Sequence, residues 1–156
     1  MPLDYLPFMN QNRAKGPRRI VSSHHRDSWT PFTRPLASAR LALITSAAVR
    51  HVSQSVFEPP EDTSYRKVAS DTPATDLCSD HRSPVGTDAR VDLEIVLPRA
   101  ALAELARSGL VGSVAPSFLS FAGGTELHQQ LEEELAPALA NELQTLGVDL
   151  ALLVPY

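Results

Sequence analysis

The order of apolar and polar positions divides the chain into an unpatterned front and a patterned back. Residues 1–39 hold no sustained period of 2 or 3.6, and Pro2, Pro7, Pro17, Pro31 and Pro35 interrupt them. They predict an extended arm packing on a core. Arg40–Ser46 (Arg-Leu-Ala-Leu-Ile-Thr-Ser) is a short apolar run without alternation. Such a run predicts a strand buried on both faces, as in a parallel sheet covered by helices. Residues 50–90 return to turn chemistry, as in Glu58-Pro-Pro-Glu-Asp62 and Ser79-Asp-His-Arg82, with room for a short strand around Tyr65–Ala69. Loops of that length inside a domain are often functional.

Val91–Leu97, half alternating and then fully apolar, predicts a second strand. Pro98 then opens a helix with Leu102, Leu105 and Ala106 on one face and Gly109 at its end. Val111–Gly124 is small and nearly uncharged, and reads as a second loop. Thr125 is placed to cap the strongest helix, in which Leu127, Leu131, Leu135, Leu139 and Leu143 recur every four positions. Pro137 should kink or divide it. Gly147 ends it, and Val148–Val154 follows as a buried strand. Helix, glycine turn and apolar strand make half of an α/β winding unit. The expected fold is therefore α/β: a three-layer, mostly parallel sheet, a Rossmann-like half, formed by residues 40–156 as one domain behind the arm of residues 1–39.

Composition sharpens this picture. The longest apolar runs fall far short of the ~20 residues of a membrane-spanning helix. The start, Met-Pro-Leu-Asp, lacks the basic and apolar regions of a signal peptide. One cysteine, Cys78, excludes an internal disulfide and suits a reducing cytoplasm. Residues 1–90 carry twelve Lys/Arg against nine Asp/Glu, whereas residues 91–156 carry two against nine. The basic cluster Arg13, Lys15, Arg18 and Arg19 is short and has acidic neighbours, so a surface-hugging arm is favoured over a nucleic-acid tail.

Residue chemistry alone is thin. His24-His25 lacks further ligands at metal spacing, and no metal site is expected. Cys78 beside Asp80 and His81 is a weak thiolate candidate, because near neighbours in sequence seldom orient as a dyad. Gly123-Gly124 before a helix offers backbone N–H groups to an anion but lacks the lysine of a phosphate loop. Glu132, Glu133 and Glu134 read as a solvated helix face.

The ordered segments add more. They are Met1-Pro-Leu-Asp-Tyr-Leu-Pro7; Ala39-Arg-Leu-Ala-Leu-Ile-Thr-Ser46; Asp62-Thr-Ser-Tyr-Arg66; Val96-Leu-Pro-Arg99; the run from Gly112 to Gly124; and Leu146 to Pro155. Together they resemble the selenoprotein B family of glycine/sarcosine/betaine reductase and D-proline reductase. The resemblance implies an oxidoreductase that reductively cleaves a C–N bond in an amino-acid or betaine-like substrate. It implies no cofactor within this chain, but a selenocysteine, or a cysteine in its place, in the full-length protein. That residue is expected just after Tyr156, beyond an apolar-Pro segment like Val154-Pro155, so this chain by itself contains no catalytic residue.

A selenocysteine codon is normally read as stop, and a reading frame cut there would leave the sheet incomplete at its C-terminal side. The competing reading is a natural edge strand. Such a nucleophile would sit at the carboxyl ends of the strands, where α/β sheets hold their substrates. The resemblance further implies a small-molecule substrate, other reductase subunits or a thioredoxin-type thiol donor as partners, a cytoplasmic location, and homo-oligomers among the expected states. Nucleic acid and membrane are not expected partners. Tyr65, Arg66, His81, Ser120, Gly123 and Gly124 are the substrate-binding candidates. Arg66 suits a bidentate grip on a carboxylate, and equally suits tying down its own loop. The family's His-rich segment is replaced here by Leu77-Cys-Ser-Asp-His-Arg-Ser83, leaving His81 as its polar contributor. The rival class is a non-catalytic α/β binding or assembly domain that uses the basic arm and the acidic final helix.

Overall fold

A computed structural model describes residues 31–59, 61–81, 89, 91–125 and 127–156. The segment Met1–Pro7, the basic cluster, His24-His25 and Arg82 lie outside the described residues. A division falls between Thr33 and Arg34, and Arg34–Tyr156 forms a folded unit.

Among the described residues of this unit seven strands form: β1 (Arg40–Thr45), β2 (Val49–His51), β3 (Tyr65–Ala69), β4 (Leu77–Ser79), β5 (Ser113–Val114), β6 (Ser117–Phe121) and β7 (Leu150–Val154). β1 is central. β7 pairs with it in parallel from Leu41 to Thr45, while β5 and β6, also parallel, lie end to end along its other side. β3 closes the far edge antiparallel to β6, and β2 and β4 form a separate antiparallel pair. The fold is thus the expected α/β class with a mostly parallel sheet.

Helices cover both faces. Helix α1 (Arg99–Arg107) packs Leu102 against Leu41, Leu43, Val68 and Phe118. Helix α2 comprises a first turn at His128–Gln130, a wide turn at Leu131–Leu135 and a regular segment at Ala136–Thr145. It lays Leu135 and Leu139 on Ile44 and Leu119 of the opposite face. Pro137 explains the wide turn. Its missing N–H and its ring disrupt the bond to the carbonyl four residues back, and Ala136 N–H instead reaches five residues back to Leu131 O. α1 stops where Gly109 turns left-handed at φ 74°, and Gly147 does the same for α2 at φ 64°. Among the described residues no helix is long and apolar enough to cross a membrane.

Four expectations are corrected. Val91–Leu97 is not a strand. Asp92 accepts from the Glu94 N–H and folds Leu93–Ile95 into a short helical turn, so Val91 and Ile95 are exposed while Val96 and Leu97 are buried. Val111–Gly124 is not a loop: it contains β5 and β6, and Phe118, Leu119 and Ser120 are buried. Its serines, prolines and glycines disguise a core strand that Pro116 merely interrupts. Thr125 does not cap α2, which begins three residues later; its Oγ accepts from Leu127 N–H at 3.1 Å. β7 is apolar but not buried, because it is an edge strand with Leu150, Leu152 and Leu153 exposed.

The layering predicts a contrast. Replacing fully buried Leu119 by Ala should cost about 2–5 kcal/mol in urea denaturation, whereas Leu153→Ala, 67% exposed, should stay within about 0.5 kcal/mol.

Candidate functional site

Because β1, β6 and β7 run in the same direction, their carboxyl ends share one edge of the sheet. There the apolar strands give way to small residues, Ser46-Ala-Ala48 and Ala122-Gly-Gly124. Ser46 joins all three. Its N–H donates to Val154 O at 3.2 Å, its carbonyl accepts from Gly123 N–H at 2.8 Å, and its Oγ accepts from Tyr156 N–H at 2.9 Å. The approach is so close that a Cβ on Gly123 would stand 3.1 Å from the Ser46 carbonyl oxygen. Next to it, buried Ala48 has φ 51°, a left-handed conformation that costs a non-glycine residue roughly 1–2 kcal/mol. Two bonds hold it: Ala48 N–H to Phe121 O at 2.9 Å, and Asp80 N–H to Ala48 O at 3.0 Å. Strain of this kind concentrates where a fold handles ligands.

β4 delivers a second group of residues to the same edge. Ser79 Oγ donates to Ala47 O at 2.6 Å and accepts from His81 N–H at 3.3 Å. The His81 ring meets the Tyr156 ring edge-on, with centroids 5.0 Å apart. Behind them Arg50 and Asp80 form a two-pronged pair, Nε to Oδ2 at 2.6 Å and Nη2 to Oδ1 at 3.2 Å, and Asp80 also accepts from Phe57 N–H at 2.9 Å. The hydrogen bonds that Arg50 donates to Asp80 raise the Arg50 pKa, against the opposing effect of burial. Burial pushes the Cys78 thiol up, Arg50 pulls it down, and Asp80 adds to the rise; the net direction is up. A thiol held protonated is a poor nucleophile.

The Asp62-Thr-Ser-Tyr-Arg66 segment folds onto itself. Asp62 accepts from Ser64 Oγ, from Ser64 N–H at 2.8 Å and from Glu58 N–H at 3.3 Å, with Arg66 Nη2 3.6 Å away. Burial raises the Asp62 pKa, but the hydrogen bonds from Ser64 and Glu58 and the charge of Arg66 outweigh it, and the carboxyl is held below its ordinary value. Arg66 donates to Ser64 Oγ and to the carbonyls of Ser55, Val56 and Tyr65, and its guanidinium lies 4.2 Å over the Phe57 ring.

The substrate-binding candidates therefore divide. His81, Gly123 and Gly124 belong to the carboxyl edge, together with Ser46 and Tyr156. Ser120 is fully buried and accepts from Val49 N–H at 2.7 Å. Tyr65 faces α2, its hydroxyl 3.4 Å from Glu142, which also pairs with Lys67. Arg66 is engaged within its own loop. The central place of Ser46 follows from its position directly after an apolar strand, a signal the sequence does carry. The strain at Ala48 has no sequence mark, since alanine gives no hint of a left-handed backbone.

A three-layer α/β sheet with a small-residue, strained carboxyl edge is an architecture that holds ligands at that edge. Comparison with known proteins finds a similarity to one reductase subunit. The chain is 30% identical over 125 residues to the D-proline reductase subunit gamma of Acetoanaerobium sticklandii, a match covering 80% of this chain and 52% of that protein. The chain thus spans about half the length of the relative it matches. No family model matches, and no solved structure does.

Asp62 supplies a pH test. Its folded pKa lies below that of the unfolded chain, so its contribution is complete above the ordinary aspartate value of about 4 and is lost as pH falls through the folded pKa. Asp62→Asn should cost about 1–3 kcal/mol at neutral pH. In denaturation curves the gap to wild type should shrink steadily below the ordinary aspartate range. A gap that stays constant into strong acid would show that the Asp62 charge stabilises nothing.

Proposed function

We propose that this chain supplies the substrate-holding α/β portion of a selenoprotein-B-like reductase that cleaves a C–N bond in an amino-acid or betaine-like substrate. The observation that carries the reading is the convergence of Ser46, Gly123 and Tyr156 at one sheet edge, beside strained Ala48 and with His81 against Tyr156. The similarity to a D-proline reductase subunit supports the reaction class. A selenol or thiol following Tyr156 would supply the nucleophile, with a thioredoxin-type thiol donor providing the two electrons that the cleavage consumes.

The chain's own residues do the rest. The backbone at Ser46 and Gly123 fixes the positions of the strand ends, so that the segment after Val154 emerges at one defined place. His81 presents a polar ring beside that place. Gly124, exposed and at φ 78°, gives the loop before α2 its reversal and leaves its surface open. Tyr65, Arg66 and Ser120 act from behind as positioning residues that hold β3, the adjoining loop and the start of β2. Cys78 is disfavoured as the nucleophile, because burial raises its pKa.

A specific feature also favours association with another polypeptide. Leu150, Leu152 and Leu153 leave β7 apolar and exposed, whereas strands of parallel sheets are ordinarily covered. The similar protein is itself named as a subunit, and we assign β7 to contact with other reductase subunits.

The test is a thiol-dependent reduction assay on D-proline, sarcosine and betaine. It would compare this chain with a form extended by the coding segment after Tyr156, each in the presence of dithiothreitol and partner subunits. The extended form should turn over substrate and the shorter form should not. His81→Ala in the extended form should lower kcat/KM by at least about tenfold without loss of thermal stability. Turnover by the shorter chain, or none by the extended one, would contradict the reading.

A further inference from the structure

A pocket of about 280 Å³ lies on the α1 face of the sheet. Leu43, Leu102, Val114 and Phe118 supply its apolar wall, and Arg99 and Asp71 are its charged members. It is separate from the carboxyl edge. Ala69, the last residue of β3, pairs with Ser117, the first of β6, so Asp71 and Phe118 mark the amino end of β6. The volume is at the small end of ligand pockets, which run roughly 300–1,000 Å³.

Arg99 makes this more than a gap in packing. Its side chain is only 16% exposed. Its Nη1 donates to Thr72 O, but its Nε is buried without an acceptor among the described residues. Glu94 Oε1 stands 3.7 Å away, an ion pair too long to be a hydrogen bond. Glu94 is committed elsewhere, since its Oε2 accepts from Ala100 N–H at 2.8 Å at the first turn of α1. A guanidinium has five donors, and one that is largely desolvated is stabilised by a charged acceptor. An apolar wall ending at a guanidinium whose Nε–H has no acceptor is complementary to an apolar body that carries one carboxylate.

We infer that this pocket binds a small aliphatic carboxylate, with its hydrocarbon part against Leu43, Leu102 and Phe118 and its carboxylate on Arg99. The carboxylate can belong to a simple aliphatic acid or to an apolar α-amino acid, and exposed Asp71 distinguishes them. It repels a plain anion weakly and attracts an α-ammonium group.

The probes are 4-methylpentanoate, L-leucine and, as a control without carboxylate, 3-methylbutylamine. Each is titrated into the isotope-labelled full chain and followed by amide shifts. At least one carboxylate should saturate with shifts at Ser70, Val114, Ser117 and Phe118, and the amine should not. Arg99→Gln should weaken that binding at least tenfold. Ala103→Phe, an exposed helix position on the pocket wall, should block it while leaving the fold intact by circular dichroism. If the ligand is the amino acid, Asp71→Asn should weaken L-leucine and leave 4-methylpentanoate unchanged or tighter. The inference is overturned if neither carboxylate shifts these amides. It is equally overturned if the amine binds as well as the acids, or if both Arg99→Gln and Ala103→Phe bind as wild type does.

Discussion

The burial of β1 on both faces dictates the rest of the structure. Leu41 and Leu43 face the α1 layer and Ile44 faces the α2 layer, so neither side of this strand tolerates water. A strand of that kind needs a partner on each edge and a helix on each face. β7 and the β5–β6 pair meet the first requirement, and α1 and α2 the second. The amino end of the strand is fixed by Asp149, whose carboxylate accepts from Arg40 N–H at 2.9 Å and pairs with Arg34, while Arg40 Nη1 donates to Leu146 O at 2.8 Å. These contacts set the register of β7. They thereby also set where the chain after Val154 emerges.

Fixing one end of β1 defines the other. At the carboxyl end the apolar run stops at Thr45, and the small residues that follow let three strand ends approach within hydrogen-bonding distance of Ser46. Larger side chains would hold them apart, since even a Cβ on Gly123 would stand 3.1 Å from the Ser46 carbonyl oxygen. The strained backbone at Ala48 is retained because Phe121 of β6 and Asp80, just after β4, bond to it from both sides. The Asp62–Arg66 segment supports this edge from its flank. Its charges are satisfied within one loop, and the guanidinium over Phe57 roofs the small cluster formed with Ala48 and Ala122.

Much of this was legible in the sequence where one physical signal acted alone. Leu41–Ile44 had no polar face, Gly109 and Gly147 ended their helices, and Pro137 disturbed the helix that contains it. Signals in competition misled. Val91–Leu97 has the alternation of a strand, but the Asp92 carboxylate satisfies a local N–H and folds the segment into a turn. Ser117–Phe121 has the composition of a loop, yet Ser120 is buried because Val49 N–H needs its oxygen. Val148–Val154 looked fully covered because apolarity does not distinguish a central strand from an edge. Which side chains meet at the carboxyl edge depends on pairings between residues more than seventy positions apart, such as Val49 with Ser120, and no local pattern encodes those.

We propose that substrate is held at the edge where β1, β6 and β7 end. This is tested most directly by titrating D-proline into the isotope-labelled chain and mapping amide shifts. Saturable shifts centred on Ser46, His81, Gly123 and Gly124 are predicted. Shifts confined to the opposite end of the sheet around Ser70 and Ser117, or no saturable shifts at all, would contradict it.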